Sequence, residues 1–123
     1  MAATGFHSAI SPEISFEDFC KVDMRVGMIR RAEPFPKARK PAYKLWIDLG
    51  EELGVKKSSA QITEQYRPED LEGLLVLCVV NFPPRQIADF MSEVLTLGVD
   101  SHDRAGVVLI QPERDAPLGT RVY

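Results

Sequence analysis

From Val22 the chain alternates, with Val22, Met24, Val26 and Met28 apolar and Asp23, Arg25 and Gly27 between them. A period of two places alternate side chains on opposite faces of a strand, so a half-buried strand is predicted here, continuing through Arg31. Tyr43, Leu45, Ile47 and Leu49 alternate with Lys44, Trp46 and Asp48 and predict a second strand that stops at Gly50. A turn through Glu51, Glu52 and Gly54 leads to a third strand expected over Val55–Ile62. Leu74 to Val80 is unbroken apolar sequence, which predicts a strand covered on both faces. Ser92–Gly98 and Val107–Gln111 supply a fifth and a sixth strand, and Pro117 to Tyr123 a turn with a closing edge.

Helix signals are short. Ser15 is placed to cap a turn with Asp18 at its third position, and Phe16 and Phe19 then fall on one side. Pro68 to Gly73 is one helical turn with proline at its start and glycine at its exit. Pro34, Pro36 and Pro41 enforce an extended loop, and Asn81-Phe82-Pro83-Pro84 breaks the fourth strand. Short strands with frequent turn signals and little helix predict a mainly β chain closed into a small barrel, with the helical pieces as plugs. Residues 1–14 are expected to form a flexible N-terminal tail and residues 15–123 one domain.

Chemistry changes this picture little. Lys56-Lys57-Ser58-Ser59-Ala60-Gln61-Ile62-Thr63 sets small polar and basic residues between strand-like runs, the look of a binding surface on a β-scaffold. Glu17/Asp18, Glu51/Glu52 and Glu69/Asp70 occupy cap and turn positions without partners, so no catalytic residue and no enzyme is expected. His7 and His102 have no metal-ligand company, and neither a metal nor a cofactor is expected. Cys78, inside the apolar run, behaves as a small apolar side chain, and Cys20 stands apart from it. The first residues lack the basic start and apolar centre of a signal peptide, and no apolar run nears the roughly 20 residues that span a bilayer. The expectation is a reduced cytoplasmic protein without membrane insertion.

The net charge of −3 conceals a basic stretch. Arg30, Arg31, Lys37, Arg39, Lys40 and Lys44 face only Glu33 between positions 30 and 44. Because the local field governs encounter, Lys37, Arg39, Lys40 and Lys44 are candidate phosphate contacts despite the acidic total. Lys56 and Lys57 could join them, and Trp46 either stacks on a base or packs under the proline loop or at a dimer contact.

Eight segments then occur in order: Phe19 to Gly27, Ala32 to Arg39, Tyr43 to Gly50, Ser58 to Thr63, Tyr66 to Glu69, Val79 to Ala88, Ser92 to Leu95 and Val107 to Pro112. Together they resemble the stand-alone tRNA-binding domains, and within them the CsaA-type protein-export chaperones. The resemblance implies an OB-fold: a five-stranded closed β-barrel with extra short strands, and short helices at the N-terminus and between strands. It implies a homodimer without catalytic activity that binds unfolded precursor proteins or peptides, with tRNA as the alternative partner.

Lys44 matches a basic position that recurs in that family, and Asn81, Arg85 and Ser92 match positions near one rim of its barrel. Asn81 equally fits a role satisfying backbone groups where the fourth strand stops. For peptides the candidates are Phe82, Ile87, Phe90 and Met91, exposed apolar groups in a proline-bearing loop, and their competing role is core or interface. Phe16, Phe19 and Met24 are expected at a dimer seam.

Overall fold

The long alternating segment is the central strand of a computed structural model that describes residues 9–123. His7 and residues 1–8 of the expected tail lie outside the described residues; Ala9 to Ile14 carry neither helix nor strand. The elements run α1 (Phe16–Cys20), β1 (Met24–Pro34), β2 (Tyr43–Asp48), α2 (Gly50–Leu53), β3 (Val55–Ala60), α3 (Pro68–Leu71) and β4 (Leu75–Val79). They continue with β5 (Arg85–Ile87), β6 (Phe90–Ser92), β7 (Leu95–Thr96), β8 (Gly98–Asp100) and β9 (Val107–Leu109). The main sheet is antiparallel in the order β3-β2-β1-β4-β7, with β5-β6 and β8-β9 as separate hairpins.

Closure comes at the outer edge of β3. Glu93 N and Val94 N donate to Lys57 O at 2.8 and 3.2 Å, joining β3 to the chain between β6 and β7. The result is a nearly closed barrel, as the strand pattern predicts, with the five strands that the resemblance implies. Inside it, Ile29, Leu45, Ile47, Val76 and Cys78 are wholly buried. The alternation of β2 is what puts Leu45 and Ile47 inward and Lys44, Trp46 and Asp48 outward.

β1 departs from strict alternation. Its register with β2 shifts between Ile29 and Arg31, so Ile29 and Ala32, three positions apart, both face the core. Such a bulge adds local twist, which a small barrel needs to curl its longest strand. The strand therefore runs to Pro34, beyond the expected end at Arg31.

α3 plugs one end of the barrel, with Leu71 buried and Gly73 N donating to Ile29 O at 2.8 Å. α1 forms the expected capping box, Ser15 Oγ accepting from Asp18 N and Asp18 Oδ2 accepting from Ser15 N, yet it buries nothing and is no plug. Three expectations change. The strand over Ser92–Gly98 is broken into the ends of β6, β7 and β8, because the chain turns at Glu93 and Val94 to reach β3. The hairpin β5-β6 had no sequence signal: its turn passes through Ala88 at φ 52°, a conformation usually marked by glycine or asparagine. β4 is fully covered along its inner face; on the outer face Val79 is buried but Leu75 and Leu77 are only half-buried.

Candidate binding face

The outer face of β1, β2 and β3 does not lie open. Hairpin β5-β6 folds across it, and Phe90 inserts beneath, 5% exposed, against Phe35, Ala42 and Trp46. Phe90 meets Phe35 edge-on at 5.5 Å between centroids and Trp46 at 5.8 Å, geometries that aromatic quadrupoles favour. Three cations lie over these rings. Lys44 Nζ is 5.0 Å from the Phe35 centroid, Lys57 Nζ is 5.3 Å from that of Phe90, and the Arg31 guanidinium is 4.5 Å from that of Trp46. Trp46 thus points outward along its strand and packs between the proline loop and the hairpin, which matches the expected packing under the proline loop and adds a hairpin cover that was not expected.

Half of the basic stretch is neutralised locally. Arg30 pairs with Asp48 at 2.9 Å, Arg31 with Glu33, and Lys37 with Asp89 at 2.9 Å. The hydrogen bond from Lys37 holds the Asp89 carboxyl below the usual carboxylate range and raises the Lys37 ammonium above its own. The same pair ties the proline loop to the turn of the hairpin. Among the described residues, Arg39, Lys40, Lys56 and Arg85 have no carboxylate at ion-pair distance.

Two of the expected RNA contacts hold the scaffold together. Asn81 Oδ1 accepts from Asp23 N at 3.0 Å and Asn81 Nδ2 donates to Lys21 O at 2.7 Å, clamping the entry to β1 beside the end of β4. Ser92 Oγ accepts from Ser59 N at 3.0 Å, and Glu93 Oε1 accepts from Lys57 N at 2.9 Å. Side chains thus complete the seam where β3 lacks a full backbone partner. Ser92→Ala should cost about 1–2 kcal/mol by orphaning a half-buried amide, and hydrogen exchange at Ser59 should accelerate accordingly. Unchanged exchange there would show that water replaces the hydroxyl.

Two grooves flank the hairpin. One, about 740 Å³, is lined by Lys37, Arg39, Lys40, Ser59, Gln61 and Ile87 among others. The second, about 410 Å³, is lined chiefly by Phe82, Pro83, Arg85, Ile87, Val94 and Leu95. Of the expected peptide contacts, Phe82 is 53% exposed and Met91 37%, Ile87 is half-buried between the grooves, and Phe90, paired with Ile87 across the hairpin, is buried beneath it in a small core on the face opposite Met91. Ser59 and Gln61 come from the polar stretch Lys56–Thr63; Val94 and Leu95 were not among the expected site residues, because only the break at Glu93 brings them to the groove.

No group of three or more His, Cys, Asp or Glu among the described residues is placed to hold a metal ion. Burial pushes the Cys78 thiol up to about 12, which keeps it a neutral core group. Among the described residues no helix is long and apolar enough to cross a membrane.

The sequence pattern of the tRNA binding domain family matches residues 24–121, from the first residue of β1 almost to the C-terminus. The chain belongs to the tRNA binding domain family. Two solved structures of similar architecture are named CsaA chaperones. That of Bacillus anthracis is 50% identical, with a TM-score of 0.83 over 91% of this chain and 100% of its own. That of Picrophilus torridus is 46% identical, with a TM-score of 0.84 over 90% of this chain and 100% of its own.

The likeness establishes the OB-like barrel expected of a tRNA binding domain. Methionine–tRNA ligase of Archaeoglobus fulgidus is 39% identical over 110 residues, 89% of this chain but 16% of the ligase. The chain therefore spans about a sixth of that curated relative, and the family it shares with it is one of binding domains.

Proposed function

We propose that residues 15–123 act as a non-catalytic chaperone, a CsaA-like homodimer in the cytoplasm that holds unfolded precursor proteins bound for export. The observation that carries this reading is the apolar groove beside the β5-β6 hairpin, where Phe82, Pro83 and Leu95 are exposed and Ile87 and Val94, packed into the cores below, form the floor. A binder of many sequences needs accessible apolar surface, and exposed Met91 adds an adaptable side chain. Such a protein shifts folding by mass action alone, through its concentration relative to its dissociation constant. The similarity to two CsaA chaperones along nearly the whole chain supports it.

The dimer in this reading forms through α1 and the residues after it, where Phe16 is 74% exposed next to Phe19 and Val22 is also exposed. At several-fold excess the protein should suppress light scattering by an aggregating precursor, and Phe16→Asp should shift sedimentation towards the monomer. A precursor that aggregates and refolds unchanged in its presence would end the chaperone reading.

A second reading is binding of folded tRNA. It is favoured by Arg39, Lys40, Lys56 and Arg85, cations without a carboxylate partner among the described residues, and by the family itself. Removing one cation that touches a phosphate should reduce the slope of log affinity against log salt by about 0.7–0.9. Lys40→Glu and Arg85→Glu are each expected to weaken tRNA binding several-fold at low salt. A flat salt response in the unaltered protein rules this face out.

A further inference from the structure

We propose that the two grooves beside the hairpin are one channel, and that it selects extended peptides carrying aspartate or glutamate side chains next to an apolar stretch. The inference rests on the peptide-binding reading above and adds to it a charge preference. Ser59 and Ile87 line both grooves, so the basic and the apolar sections adjoin at these two residues.

The two sections differ in chemistry. At the basic end Lys37 is occupied by Asp89, whereas Arg39 and Lys40 stand exposed at the mouth without a carboxylate partner among the described residues. Gln61, on the same wall, offers an amide donor and acceptor suited to the backbone of an extended chain. At the other end Phe82, Pro83 and Leu95 present apolar surface over the buried Val94. A ligand that satisfies both ends must place anionic groups beside apolar ones, which is the pattern of an acidic, apolar peptide segment. A segment with lysine at the basic end is disfavoured by like charge.

Nucleic acid fits the channel less well. Binding of a single strand relies on aromatic faces for its bases, and the rings of Phe35, Trp46 and Phe90 are packed against one another beneath the hairpin. Phe82 is the aromatic residue left in the channel lining.

The test uses three fluorescent peptides, acetylated and amidated so that chain ends carry no charge. They share one apolar core of leucine, alanine and proline, flanked on one side by two aspartates, two serines or two lysines. Anisotropy titration of the full chain at low salt should show the aspartate peptide binding about fivefold to tenfold tighter than the serine peptide, and the lysine peptide weakest. Raising the salt should draw the aspartate-to-serine ratio towards one, because exposed charges are screened. The double variant Arg39→Ser/Lys40→Ser should abolish that ratio, and Arg114→Ser, which lies outside the channel lining, should leave it in place. Equal affinity for the aspartate and serine peptides in the unaltered protein overturns the charge preference while leaving the peptide-binding reading intact. If none of the three peptides binds, that reading fails and the proposal fails with it.

Discussion

Replacing Phe90 by alanine should lower the unfolding free energy by about 3 kcal/mol and the melting midpoint by about 10 °C. The ring is almost fully buried, yet the core it fills is a satellite on the outside of the barrel, made of Phe35, Ala42 and Phe90 with Trp46, Ala38 and Ile87 around them. Truncation removes both edge-on ring pairs and leaves a void that neither the proline loop nor the hairpin is large enough to fill. It also takes away the ring beneath Lys44 and Lys57.

The chain has a single tryptophan, which makes the effect easy to read. Trp46 emission should move to longer wavelength and become more accessible to iodide, because its cover is the hairpin that Phe90 anchors. Phe90→Leu keeps most of the apolar volume and should cost less than half as much. A melting curve and emission spectrum unchanged in Phe90→Ala would show that the hairpin is held by the Lys37–Asp89 pair and the Ser92 seam alone.

A second large loss is expected at Gly27, within β1. A β-carbon there would lie 2.5 Å from Ile47 Cγ2, 2.9 Å from Leu49 Cδ2 and 3.3 Å from Asp48 O. Ile47 and Leu49 are buried and hemmed in by the core, and a β-branched side chain resists rotation, so neither clash relaxes cheaply. Gly27→Ala should therefore cost about 3 kcal/mol, the upper end for overpacking, and lower the urea midpoint by about 1.5–2 M without changing the slope.

Gly54→Ala provides the contrast. Its φ of 74° penalises any side chain, but no atom lies within 4 Å of the added carbon. The expected cost is about 1–2 kcal/mol, from a backbone at φ 74° and ψ −161° that side chains rarely adopt. Equal losses at the two positions would mean that the core around Ile47 yields more than its packing suggests.

These two residues mark what was and was not legible in the chain. Leu45, Ile47, Val76 and Cys78 could be assigned to the core from alternation and apolar continuity, since strand geometry alone sorts neighbouring side chains to opposite faces. The role of Gly27 was hidden, because it depends on where Ile47 and Leu49 arrive from the next strand. The bulge after Ile29 was hidden for the same reason: it is a property of pairing, not of one strand.

The candidate site was legible only as a region. The basic stretch and the Lys56–Thr63 segment do border the grooves, as their composition suggested. Composition could not tell which cations would be consumed by Asp48, Glu33 and Asp89, nor that Phe90 would turn under its hairpin while Phe82 stayed out. Asn81 and Ser92, chosen as ligand-binding residues, have polar atoms committed to backbone groups 58 and 33 residues away in the chain.

By itself the order of apolar and polar residues determined a mainly β barrel and its inward faces, because those follow from a period of two, while eight short segments in order carried the resemblance to its family. Only the tertiary structure decided how the barrel is sealed, that a hairpin covers Trp46, and that a basic and an apolar groove meet at Ser59 and Ile87. Each of these depends on contacts between residues distant in the chain, whose energies arise once the strands have met.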